Sequence, residues 1–248
     1  MTLQDFFGKY PEVAVAFSGG VDSAYLLYAA KQYARKVQAY YVKSEFQPQF
    51  ELDDAVRLAE ELNADLRILD LNVLAVPCVS DNPVNRCYYC KKAIFTGITR
   101  AARADDFSVL LDGTNASDDA GDRPGMKALR ELSVLSPLRE CGLTKAAVRN
   151  LSKEAALFTW DKPAYACLAT RIPTGEKITA EKLEATESAE NFLFSLGFTD
   201  FRVRSQDGNA KIQLPEDQME NLLNHRREIL RELKRYYKSV VLDLTARE

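Results

Sequence analysis

The chain is poor in several features, and each absence excludes a class of function. Its 248 residues contain no apolar run of the length needed to cross a bilayer. The opening Met1-Thr2-Leu3-Gln4-Asp5 lacks the basic segment and apolar stretch of a secretory signal, so a cytoplasmic location is expected. There is a single histidine, His225, which excludes a histidine-rich zinc site and any scheme built on several histidine bases. The net charge is −3 and the pI about 5.5. A protein that grips nucleic acid through many phosphates carries a basic excess, so no nucleic-acid partner is expected. Neither the Walker pattern Gly-x-x-x-x-Gly-Lys-Ser/Thr nor the Rossmann pattern Gly-x-Gly-x-x-Gly occurs. Internal repeats and low-complexity tracts are absent as well. What remains is an ordinary globular composition, 46% hydrophobic and 28% charged.

The apolar pattern predicts an α/β fold. Val13–Phe17 is a short β-branched run and reads as a buried strand; Ser18-Gly19-Gly20 turns the chain into a helix from Asp22. Strands at residues 37–42 and 65–71 flank a helix over 50–62. A long connection with Pro77 and Pro83 leads to a helix over 91–104 and a strand over 108–113. Alternating strands and helices predict a doubly wound parallel sheet. Residues 115–125 read as a loop, 134–138 as a short strand and 144–156 as a helix capped by Thr144. The segment 160–175 reads as a linker carrying chemistry. Beyond it the texture changes to a helix over 179–196, two strands joined at Asp207-Gly208, a charged helix over 215–235 and a last strand over 239–245. The expected domains are therefore residues 1–175 and a small α+β domain over 176–248.

Ser18-Gly19-Gly20-Val21-Asp22-Ser23 lies between a strand and a helix. Its glycines allow a tight turn that points backbone N–H groups at phosphate oxygens, and the helix amino end adds about half a positive charge at the same place. The hexapeptide resembles the PP-loop of the ATP pyrophosphatase superfamily, an adenine nucleotide alpha hydrolase-like fold. That resemblance implies cleavage between the α and β phosphates of ATP, with Asp22 holding Mg²⁺ or ordering the loop. Asp112 and Asn115, at the carboxyl end of the fourth strand, stand where such sheets bind ligands.

Of five cysteines, Cys87 and Cys90 lie three residues apart in Asn85-Arg86-Cys87-Tyr88-Tyr89-Cys90-Lys91-Lys92, and Cys167 lies in the linker. Neighbouring cations and a helix amino end favour thiolate. Three thiolates suit a 4Fe-4S cluster with one open iron; zinc with a water, a redox pair or plain core packing are the other readings. Cys78 and Cys141 have no partner by spacing and read as structural.

Taken together, these segments resemble the LarE family, ATP-dependent sulfur insertases of nickel-pincer nucleotide biosynthesis. The matching pieces are Ser18–Ser23, Asn85–Lys92, Leu111–Asn115, Asp122–Gly125, Ser136–Leu138, Cys167–Gly175 and Phe201–Arg204, in family order. The resemblance implies a small nucleotide substrate, pyridinium-3,5-biscarboxylic acid mononucleotide or a partly thiolated form. One carboxylate is adenylylated and sulfur displaces AMP. Some members sacrifice a cysteine and leave dehydroalanine; others carry three cysteines and a 4Fe-4S cluster. Cys87, Cys90 and Cys167 resemble the second type, and Cys167 is offset by one residue from the sacrificial position. The resemblance also implies substrate contacts for Glu190, Arg202 and Arg204, iron-sulfur loading proteins as partners and a homo-oligomer; Lys91 is a candidate for a substrate carboxylate or a helix-surface residue, and Arg171 a conditional phosphate contact. Arg123, Asp118, Asp119 and Asp122 are conditional candidates for phosphate or Mg²⁺. His225 reads as a surface helix residue. The rivals are a tRNA thiolase, an amide-forming ligase and a non-catalytic ATP-binding regulatory module. Acidic pI, the lack of an evident glutaminase and the clustered thiols weigh against these in turn.

Overall fold

The computed structural model describes residues 1–118 and 124–247. Packing divides the chain into two compact units, Met1–Val76 with Asn85–Ala164, and Pro77–Val84 with Tyr165–Glu248.

The first unit opens with α1 (Leu3–Lys9), which the sequence reading omits. The Asp5 amide donates to Thr2 Oγ1 at 3.1 Å and the Thr2 amide to Asp5 Oδ2 at 2.8 Å, a reciprocal cap that satisfies two helix-end donors. Then come β1 (Glu12–Ala16), α2 (Val21–Tyr33), β2 (Lys36–Lys43), α3 (Gln49–Glu61), β3 (Leu66–Asp70), α4 (Arg86–Ala104), β4 (Leu110–Leu111), α5 (Pro124–Glu131) and α6 (Lys145–Glu154). The strands form one parallel sheet in the order β3-β2-β1-β4. Side chains alternate across it. Val13, Val15, Ala39 and Tyr41 pack into a core with Phe6, Leu26, Leu27 and Leu58. Ala14, Tyr40 and Val42 pack into another with Phe95, Ile98, Ala102 and Leu129. Each fully buried large apolar side chain contributes about 1.5–3 kcal/mol. Both faces are thus covered by helices, as a doubly wound sheet requires.

Two local readings need correction. The helix expected from Lys91 starts at Arg86, which places Cys87 and Cys90 on its first two turns. On these early turns the Tyr88 hydroxyl donates to Glu131 Oε2 on α5 at 2.8 Å. The strand expected over 134–138 is a single parallel bridge, Leu111 to Leu135, followed by a helical turn at Pro137–Glu140. Pro137 has no N–H for a longer ladder and suits a helix start.

In the second unit α7 (Ala180–Ser195) precedes a hairpin of β5 (Arg202–Gln206) and β6 (Asn209–Gln213). Asp207 and Gly208 both have positive φ, 51° and 78°, which matches the tight hairpin turn expected of Asp-Gly. After α8 (Arg226–Leu233), β7 (Val240–Leu242) joins β6 in parallel. The expected single helix over 215–235 breaks at His225. Its ring pairs with Glu228 and meets the Phe198 ring edge-on, centroids 6.0 Å apart. Ala189, Leu193, Phe198, Phe201, Val203, Ile212 and Leu233 form the core.

The boundary read at residue 175 and the packing division after Ala164 differ, and Asn82 explains why the early segment Pro77–Val84 travels with the second unit. Asn82 is fully buried. Its amide nitrogen lies 3.3, 2.7 and 3.1 Å from the carbonyl oxygens of Ile172, Pro173 and Glu176. Its own carbonyl accepts from Gly175 N at 2.8 Å, and Ser80 O accepts from Ile178 N at 2.8 Å. Asn82 holds φ at 54°, a region asparagine tolerates better than alanine. Asn82→Ala is therefore predicted to cost about 2–4 kcal/mol in chemical denaturation, and Asn82→Gly less, because glycine relieves the backbone but not the lost hydrogen bonds. Wild-type stability in both would contradict this account of the segment.

Candidate active site

In a parallel sheet with order 3-2-1-4, the connections leave in opposite directions from β1 and β4. The loops after these two strands therefore border one crevice at their carboxyl ends. The loop after β1 is Ser18–Ser23. Gly19 holds φ at 72°, and a β-carbon there would stand 3.2 Å from Ala55 Cβ and 3.3 Å from Glu51 O. Gly20 caps α2 without a side chain, so the first amides of the helix keep no side-chain cap. Ser23 closes the loop: its Oγ accepts from Ser18 N at 3.2 Å, pairs with Ser18 Oγ at 3.1 Å and donates to Gly20 O at 3.1 Å. The turn is thus preformed at the uncapped amino end of α2, the arrangement that binds phosphate.

The loop after β4 meets it. Asp22 Oδ1 accepts from Asn115 Nδ2 at 3.1 Å and Oδ2 from Lys145 Nζ at 2.5 Å. Asp112 is buried and accepts from Thr114 Oγ1 at 2.5 Å and Ser136 Oγ at 2.6 Å. Asn115 Oδ1 accepts from Ser117 N at 2.8 Å, and Ser117 Oγ accepts from Lys145 N at 3.0 Å. Asp118 Oδ2 accepts from Asn115 N at 3.0 Å, a bond within the loop. Ser18, Gly19, Gly20, Asp22, Ser23, Asp112 and Asn115 therefore stand together. Asp119, Asp122 and Arg123 lie outside the described residues.

Lys145 is the residue that sequence reasoning missed. It is the first residue of α6, behind the Thr144 cap that the reading identified. Nothing in the spacing points from there to Asp22, 123 residues earlier.

Cys87 is exposed and Cys90 half-buried, one helical turn apart on α4. Around them, Lys92 Nζ lies 3.1 Å from Tyr88 Oη and 3.2 Å from Glu131 Oε2, and the Lys127 ammonium lies 5.5 Å from the Tyr88 ring centre. A β-carbon on Gly125 would meet Lys91 Cδ at 2.9 Å, so the Lys91 stem runs across the start of α5. Cys167 belongs to the second unit, where it is half-buried at the start of a tight turn over Leu168–Arg171. Within neither unit, among the described residues, do three Cys, His, Asp or Glu side chains gather closely enough to hold a metal ion.

The second unit holds four more predicted residues. Arg171 and Glu190, each 1% exposed, are expected to meet substrate; the structure pairs them with each other. Arg171 Nε donates to Glu190 Oε1 at 2.8 Å and Nη2 to Oε2 at 3.0 Å. Burial works against the guanidinium charge. The Glu190 hydrogen bonds and the pull of Glu190, Tyr165 and Cys167 outweigh it and raise the Arg171 pKa. Arg202 and Arg204 on β5 are pushed the other way, by burial first and then by the nearby charges of Arg171 and Arg247. Arg204 Nη1 donates to Thr170 O at 2.9 Å, and Arg202 Nη1 to Phe201 O at 2.6 Å. Glu190 acts in the opposite sense on both, with Asp200 for Arg202 and Asp243 for Arg204.

The sheet order and the phosphate loop define a PP-loop α/β enzyme. Residues 12–80 match the family model described as queuosine biosynthesis protein QueC, a span that runs from β1 through the phosphate loop to beyond β3. Over 235 residues the chain is 34% identical to the pyridinium-3,5-bisthiocarboxylic acid mononucleotide synthase of Lactiplantibacillus plantarum, covering 94% of this chain and 85% of that protein. It is 37% identical over 225 residues to an uncharacterized protein of Synechocystis, covering 89% and 83%. A Methanocaldococcus jannaschii protein is 29% identical over 237 residues, covering 95% and 90%. The chain belongs to the LarE family of sulfurtransferases.

The junction of the two loops gives a direct test. A β-carbon on Gly113 would stand 2.9 Å from Ser23 N and 3.2 Å from Asp22 C, all backbone contacts. Gly113→Ala must push the loop after β1 out of shape. It is predicted to weaken ATP binding at least about tenfold in a fluorescent-analogue titration, while costing only about 1–3 kcal/mol of stability. Unchanged nucleotide affinity would contradict the assignment of Ser18–Ser23 as the phosphate site.

Proposed function

We infer that this protein uses ATP to adenylylate a carboxylate of pyridinium-3,5-biscarboxylic acid mononucleotide and then exchanges AMP for sulfur. The observation that carries this reading is a preformed phosphate loop in a chain aligned over 94% of its length with a bisthiocarboxylic acid mononucleotide synthase. A carboxylate is a poor electrophile because oxide is a poor leaving group. Attack of a carboxylate oxygen on the α-phosphorus breaks the bond to the β-phosphate bridge and expels pyrophosphate. A sulfur nucleophile then adds to the acyl carbon, the bond to AMP breaks and a thiocarboxylate remains.

The chain's own groups supply positioning and charge. The amides of Ser18–Ser23 and the amino end of α2 hold the β and γ phosphates. Asp22 serves Mg²⁺ or the order of the loop, and Asp112 and Asn115 shape the adjoining wall. Arg202 and Arg204 hold the phosphate of the mononucleotide bidentately, and Lys91 meets a carboxylate.

The sulfur is assigned to a 4Fe-4S cluster on Cys87, Cys90 and Cys167. The donor chemistry fits: two thiols one helical turn apart at the amino end of α4, with Lys91 and Lys92 beside them. When bound, such a cluster would supply the sulfide. Its loading calls for an iron-sulfur donor protein.

Pyrophosphate release is predicted to require both Mg²⁺ and the pyridinium mononucleotide. Release only with tRNA, or none at all, would favour another PP-loop activity. Anaerobically purified protein is expected to carry about four irons per chain, and Cys87→Ala to lose them; full iron retention in that variant would count against the ligand set.

A further inference from the structure

Glu190 is a carboxylate with no acceptor position left to offer. An ionised carboxylate presents about four lone-pair directions. Oε1 accepts from Arg171 Nε at 2.8 Å and from Val203 N at 2.9 Å. Oε2 accepts from Arg171 Nη2 at 3.0 Å and from the Tyr165 hydroxyl. Tyr165 and Arg171 are the two ends of the seven-residue segment with Cys167 inside it. Their side chains also stack: the Arg171 guanidinium lies 4.5 Å from the Tyr165 ring centre, and that of Arg202 lies 5.2 Å from it. Inside the segment the backbone is held as closely. The Cys167 carbonyl accepts from Thr170 N at 3.0 Å, Thr170 Oγ1 at 2.9 Å and Arg171 Nη1 at 3.4 Å, and Arg171 Nη1 also donates to Ala166 O at 2.7 Å.

We propose that Tyr165 and Glu190 are positioning residues for the Cys167 sulfur: one buried carboxylate clamps both ends of its loop and ties that loop to β5 through Val203. The clamp ties the Cys167 loop to the strand that carries Arg202 and Arg204. Glu190 thus acts on the chemistry through the cysteine loop, without touching substrate. This role for Cys167 deepens the sulfur-transfer reading and rests on it.

The test uses full-length protein, reduced and free of iron. Iodoacetamide labelling of each cysteine is followed by mass spectrometry, with Cys87 of the first unit as internal reference. Tyr165→Phe removes one donor to Glu190 and no bulk; Glu190→Gln keeps the shape and loses the charged fork. In both, Cys167 is predicted to label at least about threefold faster relative to Cys87, with affinity for the pyridinium mononucleotide by calorimetry within about twofold of wild type. Unchanged Cys167 labelling in folded Tyr165→Phe overturns the proposal. So does a large loss of nucleotide affinity with unchanged labelling in Glu190→Gln, which would make Glu190 a substrate contact. If wild type does not bind that nucleotide, the substrate reading fails, but the labelling still decides the clamp. Should Glu190→Gln not fold, Tyr165→Phe carries the decision alone.

Discussion

The Asp22 carboxylate is claimed by two partners that arrive from far along the chain, Asn115 from the loop after β4 and Lys145 from the start of α6. The phosphate loop of the first unit depends on this junction. Ser23 shapes the turn locally, but a local turn can bind phosphate only if its surroundings hold it still. Asn115 and Lys145 do so by pinning the first turn of α2 from outside, and Gly113 lets the second loop come within contact of Ser23 N. The parallel order β3-β2-β1-β4 makes the junction possible, because it sets the loops after β1 and β4 side by side.

The second unit is organised around a different charge. A buried ion pair is a poor source of stability, because desolvation of both groups offsets their attraction, but removing one partner strands the other and costs about 3–5 kcal/mol. Arg171 and Glu190 are such a pair, and every further hydrogen bond they make is to the cysteine segment or to β5. The buried charge is therefore better understood as a device for fixing geometry than as a source of stability. Arg202 and Arg204 lie beside it on β5, where the charges of Arg171 and Arg247 add to their own.

Much of this was legible in the residues. A short β-branched apolar run located β1, alternation located β3, and Ser-Gly-Gly-x-Asp-Ser marked the phosphate loop, since those residue types at that spacing serve few other purposes. Asp207-Gly208 announced its hairpin because only such residues accept two left-handed positions in succession. What stayed hidden depended on distant partners. Lys145 is an unremarkable helix residue until the fold carries it to Asp22. Tyr88, on the early turns of α4, meets Glu131 from 43 residues away. Asn82 binds its segment to residues 172–176, some 90 positions on. Glu190 was legible as a special residue through family likeness. Its partners Arg171 and Val203 come from segments that no spacing in the sequence links to it.

The central claim is that a carboxylate oxygen of the substrate attacks the α-phosphate of ATP, and oxygen isotopes report on that bond directly. With the mononucleotide carboxylates enriched in ¹⁸O and one turnover allowed, mass spectrometry of the released AMP is predicted to find one heavy oxygen in its phosphate. AMP without the label, or ADP and inorganic phosphate in its place, would contradict the account.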